Sequence, residues 1–117
     1  MKKKRNIQIY LYDILESAEL IESYTALISE SEFYNLPEKQ DAILHRLQII
    51  GEAAKHIPDS YREKWNQVLW KDIAGMRDII VHEYFGITLN MIWKTSVEDI
   101  PALKQQIQAI LSNVNED

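Results

Sequence analysis

Arg77, Asp78, His82 and Tyr84 lie together in the stretch Gly75-Met76-Arg77-Asp78-Ile79-Ile80-Val81-His82-Glu83-Tyr84-Phe85-Gly86. A guanidinium, a carboxylate, an imidazole and a phenol on one segment are more than a purely structural helix needs. The planar guanidinium fork favours carboxylate or phosphate oxygens. Imidazole changes charge close to neutral pH and so suits proton transfer.

On a helical wheel Ile73, Met76, Ile80, Val81 and Tyr84 fall within about 100° of Arg77, which places the guanidinium inside an apolar stripe. A cation there needs a partner, and Glu52 of the preceding long helix is the candidate. His82 lies about 140° from Arg77, on the side of Gly75, Asp78 and Ile79. Asp78 and His82 are i,i+4 neighbours, a spacing at which a carboxylate can orient the ring. Arg77 and His82 therefore serve one site only if the helix distorts or if two copies of it meet. Gly75 and Ile79 form a thin surface that favours the second arrangement, a two-fold dimer with a composite site. Ordinary structural roles stay open for each residue: an ion pair for Arg77, a favourable charge on the helix dipole for His82, a core aromatic for Tyr84.

The elements that must position these residues are helical throughout. Ile7, Leu11, Ile14, Ala18, Ile21, Thr25 and Ile28 recur at steps of three and four, predicting a long first helix. Ser29 to Pro37 reads as a break. Ile43, Leu47, Ile50, Ala54 and Ile57 predict a second helix from about Glu38 to Pro58, with Gly51 in its middle suggesting close approach by another helix. Ser60-x-x-Glu63 has the form of a capping box and predicts a short third helix from Ser60. The fourth runs from about Leu69 to Tyr84, is stopped by Gly86, and is followed by a restart at Thr88. Ile92 to Leu111 supply a last stripe, with Pro101 dividing it near Val97 to Pro101. The fold class expected is all-α: an antiparallel bundle of about four to five helices, a single domain over residues 1–117.

Composition excludes several classes. The chain of 117 residues has no cysteine, so disulfides, thiolate metal sites and cysteine nucleophiles are out. No stretch approaches the roughly 20 apolar residues of a membrane span, and the expected location is the cytoplasm. The net charge is -5, and without Lys2, Lys3, Lys4 and Arg5 nine basic residues face eighteen acidic ones. That is the wrong sign for a generic nucleic-acid binder, so any RNA contact depends on a local cluster. The terminal Lys2 to Arg5 arm is the obvious one, with a solvated terminus as the plain alternative. His45 and His56 have no partner that the sequence identifies.

Arg77 to His82, extended through Tyr84, has the form Arg-x4-His-x-Tyr. Together with Leu47-Gln48-Ile49-Ile50-Gly51-Glu52-Ala53-Ala54 and Trp70-Lys71-Asp72-Ile73-Ala74-Gly75-Met76, it resembles the HEPN superfamily, and within it the HepT toxins of MntA–HepT toxin–antitoxin systems. The resemblance spans nearly the whole chain. It implies a homodimeric helical bundle acting as a metal-independent endoribonuclease without a cofactor. His82 would be the general base or acid, Arg77 would hold the scissile phosphate, and Asp78 would position both. It also implies that Tyr84 accepts AMP from an MntA-like nucleotidyltransferase antitoxin, which silences the nuclease. A non-catalytic HEPN module that binds, and is modified by, such a nucleotidyltransferase is the alternative.

Overall fold

Asn6 opens the first helix by accepting the Gln8 N–H on its side chain at 2.9 Å, and α1 (Ile7–Thr25) follows. The computed structural model describes residues 6–82 and 87–116. Lys2 to Arg5, Tyr84 and the predicted stop at Gly86 lie outside the described residues. α1 buries Leu11, Ile14, Ala18 and Ile21, the stripe expected from the periodicity.

The segment after α1 is more ordered than a break. Ser29 and Glu32 form a reciprocal capping box, with Ser29 Oγ accepting from Glu32 N–H at 3.2 Å and Glu32 Oε1 accepting from Ser29 N–H at 2.9 Å. They start the four-residue helix α2 (Glu30–Phe33), which drives Phe33 into full burial with its ring 5.4 Å from that of Trp93. The same Ser-x-x-Glu pattern was expected at Ser60, and there it is not used. α4 (Asp59–Lys64) begins one residue earlier on Pro58 without a side-chain cap. Proline's fixed φ already suits a helix entry, so the hydroxyl is not needed.

α3 (Pro37–Lys55) carries proline in its first turn and buries Ile43, Leu47, Ile50 and Ala54. Its end is closed by Arg62 of α4, which donates from Nη2 to Ala54 O at 2.7 Å and from Nε to Ile57 O at 3.0 Å. Ala54 O also accepts from Ile57 N–H at 3.2 Å, so the end of α3 is closed by backbone and side chain together. α5 (Trp70–His82) is anchored at its start by Trp70, whose indole donates to Trp65 O at 3.1 Å.

Thr88 caps α6 (Leu89–Lys94), as expected. The expected division of the last stripe takes the form of a π turn at Thr95–Asp99, continuing directly into α7 (Ile100–Glu116). Ile100 N–H bonds Thr95 O, the i→i−5 register, just before Pro101, whose missing N–H interrupts the regular ladder.

The described residues contain helices and no strand, which is the all-α architecture expected. The long helices pack against one another as a bundle. α3 sits between α1 and α5, while α7 covers the other side of α1 and is tied to it by Lys104 Nζ to Glu22 Oε1 at 2.7 Å. α5 packs chiefly on α3. Among the described residues no helix is long and apolar enough to cross a membrane.

Candidate active site

Gly51 decides where α5 lies. A Cβ built at Gly51 would sit 2.3 Å from Arg77 Cβ, 3.2 Å from Arg77 Cα and 3.0 Å from Ile73 O. The close approach expected at Gly51 is therefore real, and what approaches is the base of the Arg77 side chain. The absence of one methyl lets α5 settle against α3 and carries the guanidinium to the last turn of α3.

There Arg77 meets acid on both sides. Its Nε lies 2.9 Å from Glu52 Oε2, and its Nη1 donates to Asp78 Oδ1 at 3.1 Å. The first contact has the distance of an ion pair, but the N–H does not point along it, and Nε has no aligned acceptor. We read it as Coulombic, not as half of a bidentate fork. Glu52 also meets an imidazole, since its Oε1 is 3.5 Å from His56 Nε2, and the His56 ring stacks on Tyr10 at 4.8 Å.

Asp78 is shared. Lys55 Nζ reaches the same Oδ1 at 3.0 Å, so one carboxylate oxygen is held by an ammonium and a guanidinium. The Lys55 hydrogen bond first, and the Arg77 hydrogen bond second, hold the Asp78 carboxyl below its usual pKa. A carboxyl lowered in the folded state adds stability above its unfolded pKa, and that contribution is lost as pH falls through the lowered value.

His82, the last described residue of α5, is exposed and makes no hydrogen bond or ion pair among the described residues. Asp78 thus contacts Arg77, as the resemblance implies, but not the imidazole. The sequence pattern could not show this, because Lys55 competes for Asp78 from another helix. His82 is free to meet a substrate or a second chain.

Around this cluster the stripe predicted for α5 is narrower than expected, for Ile80 is buried but Val81 is 41% exposed. Ile79, expected on the side of His82, is 44% exposed. The Gly75 position has open space around it, and beside it runs an apolar groove of about 380 Å³ lined by Leu44, Leu47, Met76, Ile79 and Met91 among others. A second groove of about 390 Å³ flanks the opposite side of α5, where Ile73, Met76 and Leu103 line it. Apolar surface is left uncovered on both flanks of the helix that carries the motif.

No group of three or more His, Asp or Glu residues among the described residues could hold a metal ion. The side chains that are gathered are Arg77, Asp78, Lys55 and Glu52, with His82 farther along the same helix as Arg77. Lys55 was not among the residues the sequence marked, and His56, which the sequence left without a partner, contacts Glu52 and Tyr10. The available signal was that Lys55 lies four residues after Gly51, on the face that α5 covers.

A family model described as Ribonuclease HepT-like matches residues 14–110, which takes in the α3–α5 pair and the whole cluster. The chain belongs to the HepT-like ribonuclease family. A Thermococcus cleftensis protein named a probable ribonuclease HepT is 40% identical over 107 residues, covering 92% of this chain and 97% of that protein. A Methanocaldococcus jannaschii protein, named a gamma-glutamylcyclotransferase with a candidate RNase, is 43% identical over 114 residues. That alignment takes in 97% of this chain but 51% of the relative, so the HepT-like chain spans about half of that protein. No solved structure matches the chain.

Proposed function

We propose that this HepT-like chain is an endoribonuclease in which a ribose 2′-hydroxyl attacks the adjacent phosphate and expels the 5′-oxygen. The observation that carries the reading is the placement of Arg77. Gly51 fixes the base of its side chain, which is 25% exposed, on the helix that carries an unengaged His82. His82 takes the proton from the 2′-hydroxyl or gives one to the leaving oxygen, and Arg77 stabilises charge on the phosphate. Asp78 positions Arg77.

The active species in this reading is a homodimer with a composite site. The uncovered apolar groove beside Gly75 and Ile79 supports it, since a two-fold mate there would cover that flank and bring two motifs together. Sedimentation of the purified protein reads this directly, and a monomer that cleaves at full rate would count against it.

The chain is further proposed to be the toxin half of a toxin–antitoxin pair, silenced when an MntA-like nucleotidyltransferase transfers AMP to Tyr84. An added phosphodiester near Arg77 would occupy the guanidinium as the RNA backbone does. Intact mass after co-expression with such an enzyme reports the modification, and Tyr84→Phe should remove it.

The nuclease reading is tested with paired oligonucleotides, one all-RNA and one carrying a single 2′-deoxyribose at the mapped cut. The RNA should be cut in the presence of a chelator and the deoxy position spared. Equal cleavage of both would overturn the mechanism.

A further inference from the structure

We propose that Lys55 is a second backbone-phosphate contact of the RNA site, acting beside Arg77 and held in place by Asp78 until a strand arrives. The inference rests on the ribonuclease reading and extends it from α5 to α3.

The geometry points to an anion site already filled by a protein anion. Asp78 Oδ1 accepts from Lys55 Nζ at 3.0 Å and from Arg77 Nη1 at 3.1 Å. An oxygen gripped by an ammonium and a guanidinium is in the environment that a non-bridging phosphate oxygen seeks. The site is open to exchange, for the Lys55 and Asp78 side chains are 40% and 49% exposed. An exposed pair of this kind is weak, and RNA phosphates are numerous competitors for its cation.

Charge gives the second argument. A chain of net charge -5 cannot attract RNA by its overall field, so the strand depends on local cations, and Lys55 stands beside the chemistry. Lys55 is the last residue of α3, and the contact of α3 with α5 at Gly51 fixes its distance from Arg77. It therefore suits the same backbone phosphate that meets Arg77, with no base to read. Lysine serves this purpose as a point charge on a flexible stem and does not require the bidentate fork.

The test uses the full chain in a His82→Ala background, so that binding is measured without cleavage. Binding of a fluorescein-labelled single-stranded RNA is titrated across salt for this parent and for added Lys55→Gln or Lys55→Arg. Lys55→Gln is expected to weaken binding about fivefold, the scale of one exposed ion pair. It should also reduce the salt slope by about 0.7, the value for one phosphate contact on a single strand. Lys55→Arg should restore both. In His82-containing protein the same Lys55→Gln change should raise KM and leave kcat in place. An unchanged affinity and salt slope, with only the melting temperature lowered, would show that Lys55 merely ties α3 to α5 and would overturn the proposal. A parent that binds no RNA at all would overturn the ribonuclease reading, and this one with it.

Discussion

His82→Ala should lose RNA cleavage by about 10²- to 10⁴-fold, the range for removing a general acid or base. The melting temperature should not change. His82 is exposed at the end of α5 and makes no hydrogen bond or ion pair among the described residues, so its removal costs the fold little. The combination is diagnostic, because a residue that supported the helix would lose stability and activity together. A cleavage rate measured against pH should also lose the limb that the imidazole contributes, while His56→Ala should keep it. Cleavage by His82→Ala at the parent rate would remove His82 from the chemistry.

Gly51→Ala is expected to destabilise the protein by about 1–3 kcal/mol, the cost of overpacking a close contact. The sign carries the information, since alanine in place of glycine in a free helix interior would stabilise by about 1 kcal/mol. Here the new methyl would meet Arg77 Cβ at 2.3 Å and Ile73 O at 3.0 Å. Neither is the tip of a flexible side chain, so α5 itself must move away. Arg77 moves with it, and a displacement of about 1 Å at a catalytic group costs roughly 10²-fold in rate. Thermal unfolding and cleavage by the same preparation would both fall. A more stable, fully active Gly51→Ala protein would mean that α3 and α5 are not in contact at Gly51.

These two substitutions mark different levels of legibility. The helical periods of α1, α3 and α7 were plain in the chain, because each buries one stripe against a neighbour and the spacing of apolar residues records it. Gly51 stood out for the same reason, as a costly residue inside a good helix. The helix α2 was less visible, since four residues show no period and only the Ser29-Glu32 pair marks it. At Ser60 the same signal misled, as Pro58 had already supplied the entry.

In the site, residue types and local spacing by themselves determined the candidates: Arg77 in an apolar stripe in need of an acid, His82 on another side of the same helix, Tyr84 close to Arg77 on the wheel. Those are properties of one helix, and a helix is periodic. Only the tertiary structure decided the partners. It set Arg77 beside the expected Glu52 without aligning the N–H, turned Asp78 toward Lys55 and Arg77, and left His82 and the flanks of α5 open. Each of these depends on how closely α3 and α5 approach and on which side chains meet across that contact. No one-dimensional spacing encodes that register, and here it is set by the methyl that Gly51 lacks.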